Sequence, residues 1–280
     1  VRGIFIFPAN SYTLYEKALI MENWLKDKSI VIIGGTTGLG FSAAKAFVRQ
    51  GASVVVVGRN PENCLLSELH LGSNARAKQG DATHPQTAMD AIQLCIREFG
   101  SFDGLYHVAG GTSKKFDTGQ LHELSLSDWN ATLDWNLTSL MLSNQAAVKV
   151  FMGMNKGGSI LNMSSVLGFL PAAHHFSNHA YATAKSAIIG FSKSVASTYA
   201  SKNIRVNVLA PAVIEGIENE AADSQPFVIS KQPLDGGRFG VPSDLDGAAI
   251  YFMSDYSKFA TGQILTVDGG WGITDGQNRP

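Results

Sequence analysis

The sequence predicts an α/β chain built on one parallel sheet with helices packed on both faces. Three observations predict it. From Ser29 onward, short β-branched runs alternate with longer segments of helical period, the βαβα pattern of a mainly parallel sheet. Runs such as Val54-Val55-Val56-Val57 are apolar throughout, as strands covered on both faces are. A glycine-rich turn, Gly34-Gly35-Thr36-Thr37-Gly38-Leu39-Gly40, lies between the first strand and the first helical segment. That junction marks a Rossmann-type, doubly wound sheet.

Taken in order, Ser29–Ile33 and Ser53–Val57 are almost wholly β-branched and read as strands. Ala75–Gln79 is a weaker strand, because charged residues interrupt it. Leu105–Val108, Ser159–Met163, Ile204–Leu209 and Gln263–Val267 complete the set. Helical stretches fall between them near Leu39–Gln50, Pro61–Leu71, Pro85–Phe99, Ser127–Met154, Asn178–Ser201 and Ser243–Met253. Glu215–Gly237 is irregular and polar, with two glycines and two prolines near its end. Its length makes the region of about 213–237 an expected mobile substrate lid. No linker rich in Pro, Gly and Ser and no internal repeat divides the chain, so residues 21–280 read as one domain.

Residues 1–20 fit nothing that follows. Ile4-Phe5-Ile6-Phe7 behind Arg2 has the look of a weak signal peptide, but Pro8 interrupts it and no small-residue cleavage site follows. Met21 directly precedes the first organised segment, so it is the expected start, with the first twenty residues an extension.

Composition excludes several function classes. With a formal net charge of −1, the chain lacks the basic footprint of a nucleic-acid binder. No apolar run approaches the roughly 18 residues of a membrane span. Cys64 and Cys95 stand far apart, without metal-like or redox spacing, so a disulfide scaffold is excluded and a reducing cytoplasm is expected. Charged residues are only 16%, below the roughly 25% of typical soluble domains, which suggests surface buried between subunits.

Of the 29 glycines, those after the first strand carry the clearest chemistry. Gly38, Gly40 and Ala43 satisfy G-x-G-x-x-G/A between a strand and a helix. Gly34, Gly38 and Gly40 allow the tight turn and a close backbone approach to a pyrophosphate, and Leu39 opens the helix beneath it. The helix N-terminus supplies N–H groups and a favourable dipole, and Thr36 and Thr37 add hydroxyl donors. The second strand ends Val57-Gly58-Arg59, with Gly58 where an NAD-type fold carries its ribose-binding acid. Arg59 can hold a 2′-phosphate bidentately, which favours NADP(H). A solvated arginine, or one stacked on adenine, leaves NAD(H) open. Asp81-Ala82 is placed to accept from the adenine amino group, although a turn aspartate or helix N-cap fits as well. Small residues in Val108-Ala109-Gly110-Gly111 let the backbone approach the cofactor.

Tyr181 and Lys185 lie four apart, on one helix face. A free tyrosine titrates near 10, too high for acid–base work at neutrality, and a nearby ammonium favours the phenolate. These motifs recur in a specific order: Gly34-x-x-x-Gly38-x-Gly40, Asn136, Asn162-Met163-Ser164-Ser165, then Tyr181-x-x-x-Lys185. Arg205-Val206-Asn207-Val208-x-x-Pro211 and Val267-Asp268-Gly269-Gly270 follow. From about Lys28 to Gly270 the chain resembles the short-chain dehydrogenase/reductase family.

The resemblance implies that Tyr181 donates or removes the proton at the substrate oxygen. It implies that Lys185 holds the nicotinamide ribose and lowers the tyrosine pKa. Ser165, preferred to Ser164 because it directly precedes Val166-Leu167-Gly168, would bond the substrate oxygen. Asn136 would complete a proton relay through a water beside Lys185; a buried helix asparagine bonded to backbone is the plain alternative. The backbone of Val213 or Ile214 would meet the nicotinamide amide.

The chain departs from the family at several positions. His107-Val108 replace two asparagines, Ala212 replaces a glycine, Gly216 replaces a threonine, and Ile33 stands where threonine is common. His174, His175 and His179 lie between Ser165 and Tyr181, but no carboxylate or cysteine joins them, so no metal is expected and the loop reads as substrate-pocket lining.

The leading expectation is an NADP(H)-dependent oxidoreductase of a ketone, aldehyde or secondary alcohol. An NAD-dependent alcohol or sugar dehydrogenase and a non-catalytic dinucleotide sensor are the alternatives. The tight Tyr181/Lys185 spacing argues against an enoyl reductase. The resemblance also implies a homotetramer or dimer, for which Leu133, Leu137, Leu140, Leu142 and Trp271 are equally core or interface.

Overall fold

The computed structural model describes residues 23–112, 120–171, 178–215 and 225–276. The expected extension at residues 1–20, Met21 and part of the expected lid lie outside the described residues.

Seven strands form one sheet in the order β3-β2-β1-β4-β5-β6-β7. They are β1 (Ser29–Ile33), β2 (Ser53–Gly58), β3 (Ala75–Gln79), β4 (Gly104–His107), β5 (Gly158–Met163), β6 (Ile204–Pro211) and β7 (Ile264–Val267). Every pairing is parallel, with Val31 opposite Val55 on one side and Leu105 on the other. Each expected strand is present with its bounds moved by at most two residues.

Side chains alternate across the sheet, so the apolar strands supply two cores. Ile30, Ile32, Val54 and Val56 pack on one face beneath α1 (Gly38–Arg49). Val31, Ile33, Val55 and Val57 pack on the other, against α3 (Thr87–Phe99). α2 (Pro61–Leu71) begins at a proline, capped by Asn60, whose side chain accepts from Asn63 N.

The stretch expected as one long helix is α4 (Leu126–Leu133) and α5 (Ser139–Gly153), joined through a π-helical turn at Asp134–Thr138. α6 (His179–Tyr199) carries the Tyr-x-x-x-Lys motif. The segment expected to be irregular contains α7 (Gln225–Lys231). Pro226 suits its first turn, but seven residues are too few to show a helical period. α8 (Asp246–Met253) follows a short 3-10 turn and packs beside α1. Leu140 and Trp271 are core residues, and Trp271 meets Phe227 of α7 edge to face. Among the described residues no helix is long and apolar enough to cross a membrane.

Candidate active site

The chain order reverses between β1 and β4, and a cleft of about 430 Å³ opens there beyond the C-terminal ends of the strands. Its wall includes Gly34, Thr36, Thr37, Gly38, Leu39, Arg59, Asp81, Ala82, Val108, Ala109, Gly110, Ser165, Tyr181, Lys185, Val213 and Ile214. Gly40 and Asn136 stand behind that wall.

The floor is backbone packed on backbone. Gly34 N and Gly35 N both donate to Val57 O, at 2.9 and 3.0 Å. Gly34 has φ +84°, and a Cβ there would lie 2.7 Å from Ala109 N. A Cβ on Gly40 would run into Gly34 O. Thr37, at the N-cap of α1, makes no side-chain cap hydrogen bond. The first N–H groups of α1 are therefore not capped by that side chain, and Thr37, Gly38 and Leu39 line the cleft; with the helix dipole, this donor set fits a pyrophosphate.

At the β2 end, a Cβ on Gly58 would run into the Thr36 hydroxyl, so Thr36 fills the space an acid would need. The exposed Arg59 holds its guanidinium 5.7 Å from the ring centre of Trp135. Asp81 Oδ1 accepts from Thr83 N at 2.9 Å and Thr83 Oγ at 2.8 Å, closing a local turn. Burial opposes its charge, but those two bonds and the nearby Arg59 outweigh it and hold the carboxyl below its usual range.

The other end carries the proton-handling groups. Ser164 Oγ donates to Lys185 O at 2.6 Å, so Ser164 braces α6. Ser165 Oγ accepts from Leu167 N at 3.2 Å and has its hydrogen left to offer the cleft. Lys185 is 3% exposed; its Nζ donates to Met163 O at 3.2 Å and lies 5.4 Å from the Tyr181 ring centre. Burial lowers the Lys185 pKa from 10.5 to about 8.

Asn136 sits in the π turn. Its Nδ2 donates to Gly111 O at 3.0 Å and Thr132 O at 3.1 Å, and its Oδ1 accepts from Gly111 N at 2.9 Å. Its side chain is thus engaged by backbone, and Oδ1 and Lys185 Nζ both abut Gly110.

Three residues at this site were not singled out for their roles by sequence reasoning. His107 is fully buried at the end of β4, with Nε2 3.1 Å from Ala109 O and Nδ1 2.8 Å from Ser143 Oγ. It braces the strand end where asparagine was expected. Gln232 accepts from Val213 N at 2.9 Å and donates to Val213 O at 3.2 Å and Arg238 O at 2.9 Å. The main chain of Val213 is therefore engaged inside the protein. The Ile214–Gly240 bridge uses Val213 O and Glu215 N, which turns the Ile214 N–H and C=O the other way. Trp135 is the third. A departure from the family's asparagines was the only local signal for His107; the other two carried none.

His174 and His175 lie outside the described residues, and His179 is the first residue of α6. Among the described residues, no group of three His, Cys, Asp or Glu side chains could hold a metal ion.

A family model described as enoyl-(acyl carrier protein) reductase matches residues 34–272. The 3-oxoacyl-(acyl-carrier-protein) reductase FabG of Chlamydia trachomatis is 32% identical, over 89% of this chain and 99% of the relative. The 2,5-dichloro-2,5-cyclohexadiene-1,4-diol dehydrogenase LinX of Sphingobium indicum is 31% identical, over 90% of this chain and 99% of the relative. A solved short chain dehydrogenase of Bacillus anthracis superposes with a TM-score of 0.81 at 27% identity, covering 90% of this chain and 99% of that one.

Proposed function

The chain belongs to the short-chain dehydrogenase/reductase family, and on that premise we propose that it interconverts a ketone or aldehyde and its alcohol with NADP(H), using Tyr181 as general acid–base. As a family member it is an oxidoreductase acting on CH–OH and C=O groups, with a dinucleotide cofactor. The observation that carries the finer reading is one cleft holding both the glycine-turn cradle and the Ser165, Tyr181 and Lys185 side chains.

When bound, the nicotinamide supplies or accepts the hydride. The α1 N-terminus and the Gly34–Gly40 turn hold the pyrophosphate, Arg59 holds a 2′-phosphate, and the Ile214 backbone orients the amide. Ser165 donates its hydroxyl hydrogen to the substrate oxygen and fixes that oxygen beside Tyr181. Tyr181 gives its phenolic proton to that oxygen in reduction and takes it back in oxidation. The Lys185 ammonium, charged below its pKa of about 8, favours the phenolate between proton transfers. Asn136 braces Gly111 and so fixes the wall beside Lys185; a relay water there would meet its main chain or the remaining lone pair of Oδ1.

The matching family model bears an enoyl reductase description. The four-residue spacing of Tyr181 and Lys185 supports carbonyl chemistry instead, as do the activities that the two relatives are named for.

The test is Tyr181→Phe, assayed with NADPH against a panel of ketones and aldehydes. Turnover is expected to fall by about 10²–10⁴-fold while NADPH binding persists. Near-full turnover in the variant would refute the mechanism.

A further inference from the structure

Arg59 and Trp135 approach the cleft from opposite sides of β1. Arg59 follows β2, and Trp135 lies in the π turn of the helix that follows β4. Their side chains meet across the crevice, with the guanidinium carbon 5.7 Å from the ring centre, and both residues line it. The indole also rests on the cofactor-side backbone: a Cβ on Gly111 would lie 3.5 Å from its ring edge. Asp81 is the carboxylate that senses Arg59, but its Oδ1 is engaged by Thr83. Among the described residues no carboxylate forms an ion pair with Arg59.

We propose that Trp135 is a cofactor-specificity residue, which holds the Arg59 guanidinium by its face over the adenosine end of the cleft, ready for a 2′-phosphate. The inference rests on the NADP(H) reading of Arg59. A guanidinium uses its π face against an indole and its in-plane N–H fork against a phosphate, so the two contacts do not compete. Holding the side chain beforehand removes part of the ordering cost of binding. NADH has no 2′-phosphate, so it gains nothing from this arrangement. The π turn that presents Trp135 also presents Asn136, so adenosine recognition and the catalytic wall share one element.

The experiment is a titration of NADPH and NADH, read by the fluorescence of the reduced cofactor, on wild type, W135L, W135F, R59A and the W135L/R59A double variant. W135L is expected to weaken NADPH binding about two- to five-fold, the range of an exposed cation–π contact. NADH binding stays unchanged, W135F retains part of the preference, and W135L adds no further loss in the R59A background. Equal weakening of both cofactors by W135L, or an undiminished loss in the R59A background, overturns the inference. If R59A abolishes the NADPH preference while W135L leaves it intact, the inference fails and the NADP(H) reading stands. If R59A leaves the preference unchanged, the NADP(H) reading fails and the inference falls with it. Should W135L not fold, W135F carries the comparison: an NADPH-to-NADH ratio equal to wild type, with W135F unfolding at the wild-type temperature, overturns the inference, and a ratio between wild type and R59A supports it.

Discussion

His107 is fully buried among groups that decide its protonation. Nε2 faces the Ala109 carbonyl, which can only accept, so the proton sits on Nε2 and Nδ1 is left as an acceptor 2.8 Å from Ser143 Oγ, whose one hydrogen is shared with Leu140 O at 2.9 Å. Ser139 Oγ stands 3.5 Å from Nε2, and the Lys185 ammonium is the charged group that bears on the ring. Burial first, and Lys185 second, lower its pKa from 6.5 to about 3. The folded protein thus refuses a proton that the unfolded chain accepts below about pH 6.5. His107 therefore destabilises the fold as pH falls from 6.5 toward 3 and contributes no pH dependence above that window, with a full effect of roughly 3–5 kcal/mol. We expect His107→Asn to flatten the pH dependence of unfolding between pH 6.5 and 4, measured by urea denaturation. Equal slopes in the two proteins would show that the fold accommodates the imidazolium.

At the scale of elements, the turn from β1 into α1 works because two backbones touch. Gly34→Ala forces a side chain into φ +84° and onto Ala109 N at 2.7 Å. A strained non-glycine residue costs roughly 1–3 kcal/mol before any clash, so the variant should unfold earlier and bind dinucleotide more weakly. A thermal unfolding curve matching wild type, with NADPH binding intact, would mean that the turn adapts. This element was legible in the sequence, because glycines between a β-branched run and a helical period have few other uses. β1 and β2 were legible for a related reason: both their faces are buried, so their residues are apolar almost throughout. The π turn at Asp134–Thr138 was not, since one extra residue per turn leaves no periodic mark in a helix of mixed residues. α7 was too short to show a period. Gln232 and Trp135 act on segments far away in sequence, and only the folded sheet brings them to Val213 and Arg59.

At the scale of the molecule, the two edges of the sheet differ. β3 carries Arg76 and Lys78, and charges of this kind discourage pairing with a second sheet. β7, the other edge, reads Ile264-Leu265-Thr266-Val267 and carries no charge. Apolar side chains flank it on the surface: Phe259 is 103% exposed, Ile273 95% and Leu265 39%. An uncharged edge bordered by exposed apolar groups is a surface that soluble chains normally cover. Together with the low charge content of 16%, it supports the expectation of a homo-oligomer. Light scattering at micromolar concentration should give the mass of two or four chains. Phe259→Asp with Ile273→Asp should shift that mass toward fewer chains while unfolding remains cooperative, because neither side chain packs in the core. A wild-type monomer would refute assembly altogether. An oligomer that survives both charges would move the interface away from β7 and onto the outer faces of α4, α5 and α6, the last being the helix that carries Tyr181 and Lys185.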